Sequence, residues 1–137
     1  MTVAPLRVFI FDDVVAARGE EFRIPGLDVV VYPHADNAAD ACTQPRPRPD
    51  IVFMDYALGP GRADGATAIR AMRRAGFSGR VIGISSDPAA NADMRAAGSD
   101  ESLSKKAHLR SYLVHLGGQH LAGRDPFGTR RSASRGS

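Results

Sequence analysis

Four short runs of β-branched and aromatic residues constrain this chain's fold more than any other feature: Val8-Phe9-Ile10-Phe11, Val29-Val30-Val31-Tyr32, Ile51-Val52-Phe53-Met54 and Val81-Ile82-Gly83-Ile84. A strand with one wet face alternates apolar and polar residues. These runs are apolar almost without interruption, the pattern of strands covered on both faces of a parallel sheet. The segments between them carry helical spacing. Ala66, Ile69 and Met72 mark one helix, and Leu109, Tyr112, Leu113 and Leu116 recur at i, i+3, i+4 and i+7 on another. Alternating strands and helices of this size predict an α/β fold, a parallel sheet between two helical layers.

Some elements are weakly marked. The first helix must be short and lie within Val14 to Phe22, and Asp100 to Leu103 is a poor strand by propensity alone. The run Gln44-Pro45-Arg46-Pro47-Arg48-Pro49 is expected to be an extended surface connection, since proline removes donors and fixes φ. Gly117-Gly118 is expected to end the last helix. The division predicted is one domain over 1–117 and a basic tail over 118–137, either flexible or an arm docking through Leu121 and Phe127.

Charge and cysteine content narrow the function classes. The net charge is +3, but residues 1–117 hold 14 Lys+Arg against 14 Asp+Glu, so the excess lies wholly in the tail. A basic face for nucleic acid is therefore not expected. No apolar run reaches membrane-span length, no secretory leader is recognised, and the single cysteine, Cys42, precludes an internal disulfide. A cytoplasmic location is the expectation.

The acids that matter stand at strand ends. Asp12-Asp13 follows the first strand directly, and Asp55 follows the third. In an open parallel sheet the carboxyl ends of the strands line the ligand crevice, so these carboxylates should converge. Without a cation they repel, and at least one should have a raised pKa. A hard divalent ion such as magnesium, which takes one or two carboxylates with water and phosphate oxygens, relieves that conflict. Ser85 after the fourth strand adds a hydroxyl at the same edge, and Lys105 after Leu103-Ser104 adds an ammonium. Each of these is commonplace alone; together they suit a site that receives a phosphoryl group.

The stretches Phe9-Ile10-Phe11-Asp12-Asp13, Val52-Phe53-Met54-Asp55, Ile82-Gly83-Ile84-Ser85-Ser86 and Gly98 through Leu103-Ser104-Lys105 resemble the signature segments of bacterial response-regulator receiver domains, over roughly residues 6–117. The resemblance implies a doubly wound, CheY-like (flavodoxin-like) fold of five parallel strands in the order 2-1-3-4-5. By position it makes Asp55 the phosphoacceptor. It makes Asp13, Asp55 and the main-chain carbonyl of Ala57 direct magnesium ligands, with Asp12 acting through water. Ser85 and Lys105 would stabilise the phosphoryl group. The implied partner is a sensor histidine kinase or a histidine phosphotransfer protein, in a single-domain response regulator signalling through protein contacts. Self-phosphotransfer and slow hydrolysis would then be its only chemistry, with no turnover of an external substrate. Homodimerisation through the last helix is expected if part of its apolar stripe is exposed.

Three departures from the family's pattern stand out. Lys106 replaces the usual proline after the conserved lysine, so the following loop should be altered. Ser102 replaces the usual aromatic residue. The loop from Asp55 to Gly65 is longer than usual. These leave open a second reading, a receiver-fold scaffold or dimerisation module that works without phosphorylation. A dehalogenase-type phosphatase is excluded because Val14 and Val15 stand where its second aspartate is needed. Nucleotide-binding glycine loops are absent after the first strand.

Overall fold

The structure, a computed structural model, describes residues 3–44 and 48–125. Five strands, β1 (Leu6–Phe11), β2 (Leu27–Tyr32), β3 (Ile51–Asp55), β4 (Arg80–Ile84) and β5 (Glu101–Leu103), form one sheet in the order β2-β1-β3-β4-β5. Every neighbouring pair is parallel, as the apolar runs require. The weakly marked segment near residue 100 does pair, as the three-residue β5 beside β4.

Successive strand side chains point to opposite faces, so each apolar run feeds two cores. Phe9, Phe11, Val52, Met54 and Val81 pack with Ile69, Met72 and Met94 from α3 (Gly65–Arg74) and α4 (Pro88–Ala97), beside Cys42 of α2 (Ala38–Thr43). Val8, Ile10, Phe53, Ile82 and Ile84 pack on the other face with Val15 of α1 (Asp13–Ala17) and with Leu109, Leu113 and Leu116 of α5 (Leu109–Leu121). Tyr112, the remaining member of the predicted α5 stripe, packs edge-on against Phe53. Each fully buried large apolar side chain is worth about 1.5–3 kcal/mol relative to exposure. Burial pushes the Cys42 thiol up to about 12, which keeps it protonated and unreactive.

The expected helix end at Gly117-Gly118 is not observed. α5 runs through both residues to Leu121. Gly117 is needed for packing: a Cβ there would collide with the Pro25 carbonyl, where α5 crosses the segment before β2. The glycine that stops the helix is Gly123, at φ +76. Its N–H bonds the His120 carbonyl at 3.0 Å, and Arg124 N–H bonds that of Gln119 at 2.9 Å, a Schellman end. The domain therefore extends at least one helical turn into the segment assigned to the tail. Phe127, the remainder of that tail and Pro45 to Pro47 lie outside the described residues.

At the opposite edge of the sheet from the acids, Arg73 of α3 acts as a staple. Its guanidinium donates to the carbonyls of Gly98 (2.9 and 3.1 Å), Phe77 (2.9 Å) and Gly79 (2.8 Å), and to Asp100 at 3.1 Å. Replacing it strips a charged donor from three carbonyls at once. Arg73→Ala should lower unfolding free energy by about 2–3 kcal/mol in urea titration. A loss within error of zero would show that water replaces the staple without cost.

Candidate functional site

Register decides what meets at the carboxyl edge. β1 pairs Phe11 with Met54, so Asp12 and Asp55 emerge side by side, and β3 pairs Asp55 with Ile84, which puts Ser85 next along the edge. Asp12 is fully buried, and its Oδ1 accepts from Val14 N and Val15 N at 3.0 Å each, capping α1. That cap turns the chain so that Asp13 opens the helix. One carboxylate oxygen each from Asp12, Asp13 and Asp55 then lies within 4.8 Å of the others.

The ammonium that answers them belongs to Lys106. Its Nζ stands 2.9 Å from Asp12 Oδ2 and 3.2 Å from Asp55 Oδ2. This corrects the assignment of Lys105 to the pocket. Lys105 is exposed, has extended backbone (φ −136, ψ 121) and is absent from the cleft wall. A short 3-10 turn, Lys106–His108, begins right after it and brings residue 106 back over the edge of the sheet. A proline at 106 would leave no ammonium there; a lysine at 106 supplies one.

Three carboxylates against one ammonium leave net negative charge in a poorly solvated place. Burial first, and the neighbouring Asp12 charge second, push the Asp55 carboxyl up to about 6, against a smaller opposing pull from Lys106. Burial works against the Lys106 charge, but Asp12 and Asp55 outweigh it and hold its pKa above the ordinary value. Lys106 pairs at 2.9 Å with Asp12 Oδ2, the carboxylate oxygen that the α1 cap does not use. An oxygen-only cluster of three carboxylates, with a single ammonium to offset them, fits a hard divalent cation such as magnesium. Asp12, Asp13 and Asp55 would hold it, with Ala57 on the cleft wall to offer its carbonyl.

The cleft around this cluster encloses about 620 Å³ and is also lined by Val14, Tyr56, Gly59, Ser85, Ser86 and Asp87. Ser85 lies on the cleft wall. Its N–H donates to Leu103 O at 3.2 Å, and its Oγ accepts from Asp87 N at 3.0 Å. The long β3–α3 loop is tied down on its outer side. Arg62 reaches Asp36 at 2.8 Å and holds that carboxyl below the usual range. Tyr56 donates its hydroxyl to Asp93 of α4 at 2.9 Å. Ser102, at the missing aromatic position, is exposed and accepts from Arg95 of α4 at 2.7 Å.

Comparison with known proteins agrees with this fold. The chain superposes on a two-component response regulator of the LuxR family from Aurantimonas sp. at TM-score 0.63, with 25% identity and 88% of each chain covered. The fold is that of a CheY-like receiver domain. The receiver domain of a sensor histidine kinase from Pseudomonas aeruginosa, with magnesium coordinated in its active-site cleft, matches at TM-score 0.64, 23% identity, and 88% and 99% coverage of the two chains. A CheY-like receiver protein from Methanospirillum hungatei matches at 0.66, 17% identity, and 88% and 96% coverage. No protein-family model and no curated protein matches the sequence. Among the described residues, no helix is long and apolar enough to cross a membrane.

Tyr56 and Asp87 were not anticipated as cleft residues, and Lys106 was expected there only as a rival to Lys105. Only Lys106 carried a signal, a second cation adjacent to the assigned one. The raised Asp55 pKa has a thermodynamic consequence. The folded carboxyl, at about 6 against an ordinary 3.8, binds its proton more tightly than the unfolded chain does. Stability therefore falls as pH rises from about 4 to about 6 and stays reduced above. In metal-free buffer at pH 7.5, Asp55→Asn should raise unfolding free energy by about 2–3 kcal/mol, a gain that shrinks below pH 6 and vanishes near pH 4. Lys106 keeps Asp12 as partner in that variant. A pH-independent effect, or a loss of stability at pH 7.5, would contradict this account of the charge cluster.

Proposed function

We propose that this receiver domain accepts a phosphoryl group on Asp55 in a divalent-cation-dependent transfer from a phosphohistidine donor in a two-component system. The observation that carries the reading is the convergence of Asp12, Asp13 and Asp55 within 4.8 Å, with the Lys106 ammonium bridging Asp12 and Asp55. Magnesium is the cation the donor set suits. When bound it supplies positive charge against the carboxylates and the incoming phosphate.

The chemistry assigned to the chain's own residues is modest. A carboxylate oxygen of Asp55 attacks phosphorus in line with the departing nitrogen of the donor imidazole. The P–N bond breaks as the P–O bond forms, and the imidazole leaves with the electron pair. The product is an aspartyl phosphate, a mixed anhydride. Lys106 offsets charge on the transferred oxygens, and the Ser85 hydroxyl has a proton to donate to one of them. The raised Asp55 pKa favours the same reading: the site disfavours a bare anion and so favours binding of a cation. Hydrolysis of the anhydride returns the carboxylate, and no external substrate is turned over. The cognate donor would be a sensor histidine kinase or a histidine phosphotransfer protein, with output through protein contacts.

Intact mass measurement after incubation with magnesium and acetyl phosphate tests the proposal. One added phosphate is expected on the wild type, and none on Asp55→Asn or without magnesium. Should the folded wild type gain no phosphate and form no beryllofluoride complex, the phosphoacceptor reading is wrong and a scaffold role stands in its place.

A further inference from the structure

Among the cleft residues, Ser85 is bonded by a side chain from the interior of α4. Its main-chain carbonyl accepts from Asn91 Nδ2 at 2.8 Å, while its hydroxyl accepts from Asp87 N at 3.0 Å. Asn91 lies in α4 and is only 6% exposed. Its Oδ1 has no hydrogen-bond partner. A buried amide satisfied on one side alone is costly, and its buried helix neighbours Ala90, Met94 and Ala97 are apolar. Packing by itself would be better served by leucine.

A second tie links the same helix to the cleft. Asp93 receives the Tyr56 hydroxyl at 2.9 Å, so α4 is fastened both to the loop after β4 and to the loop after β3. At position 102, where an aromatic ring could report movement of Ser85, a serine hydroxyl is instead held at 2.7 Å by Arg95, again from α4. Two side chains of one helix, Asn91 and Asp93, thus hold residues of the cleft, and a third, Arg95, holds the edge strand β5.

We propose that Asn91 is the positioning residue through which occupancy of the cleft is transmitted to α4: its amide latches the Ser85 carbonyl in the resting state and releases it when Ser85 turns to a bound phosphoryl group. The proposal rests on the phosphoacceptor reading of Asp55. Drawing the Ser85 hydroxyl to a phosphoryl oxygen requires its bond from Asp87 N to break and the main chain at 85–86 to shift. The Asn91 bond opposes that shift, and its loss frees the centre of α4 to move. The missing aromatic at 102 is then no defect, because the report runs from the Ser85 carbonyl rather than into the space beside β5.

The test is amide NMR of the whole chain with magnesium and beryllofluoride, an acyl-phosphate mimic. In the wild type, the Asn91 side-chain amide and the backbone signals of 92–97 should shift on saturation. In Asn91→Leu, near-isosteric and without a donor, beryllofluoride should bind about three- to tenfold tighter because no latch is broken. The 92–97 signals should then stay still, and Asn91→Gln, which retains a donor, should restore part of their response. An unmoved Asn91 side-chain signal in the saturated wild type overturns the proposal, and this reading needs no variant to fold. Equal affinity and equal α4 shifts in Asn91→Leu also overturn it. Absence of beryllofluoride binding to the wild type removes the phosphoacceptor reading itself, and the latch with it.

Discussion

The mutual repulsion of Asp12, Asp13 and Asp55, held in check by one ammonium, is the interaction on which the rest of the site depends. The sheet forces the conflict. Parallel pairing of β1 and β3 in a fixed register makes their ends coincide, and both strands end in acid. Hydrophobic burial of the two cores overrides the local electrostatic cost, because moving the carboxylates apart would mean slipping the register and turning apolar side chains to the wrong face. The site is therefore strained in charge but firm in geometry. That combination suits a pocket whose resting state should welcome a cation and a phosphoryl group.

The loops around the pocket are secured by polar contacts of different strength. Asp12 uses one oxygen to cap α1 and keeps the other for the pocket. The β3–α3 loop is held by the partly exposed Arg62–Asp36 pair, a contact that solvent screens and weakens. The Tyr56–Asp93 and Asn91–Ser85 bonds connect the pocket to α4. On the far side of β5, Tyr112 of α5 donates to Glu101 at 2.6 Å while its ring packs on Phe53, which ties that edge to the core. Apolar packing and the Tyr112–Glu101 bond support the α5 side, while side-chain hydrogen bonds join α4 to the loops of the cleft.

Most of the fold was legible because the signals are redundant. Four continuous apolar runs could serve only as doubly covered strands, and the acids that follow them could only lie at one edge. β5 was not legible from propensity: Glu101-Ser102-Leu103 is a strand because β4 offers it a pairing partner. Helix ends failed where glycine has two uses. Gly117 permits close approach to Pro25, while Gly123 adopts the positive φ that ends α5, and composition alone cannot tell these uses apart. The lysine was misassigned for a similar reason. Positional matching to the family selects Lys105, but which of two adjacent side chains enters the pocket depends on where the backbone turns after β5. Asn91 had no sequence signal, since its partner is a carbonyl that every residue possesses.

The central claim, that Lys106 is the cation completing the carboxylate cluster, is tested most directly by the initial rate of phosphate gain, followed by intact mass, in Lys106→Ala and Lys105→Ala at fixed magnesium and acetyl phosphate. The account predicts that Lys106→Ala slows the transfer by about 10²-fold or more, as expected on removing a charge that stabilises the transition state. Lys105→Ala should stay within about twofold of the wild type, since an exposed cation contributes little. The reverse order, with Lys105→Ala crippled and Lys106→Ala near normal, would contradict the account and return the pocket to Lys105.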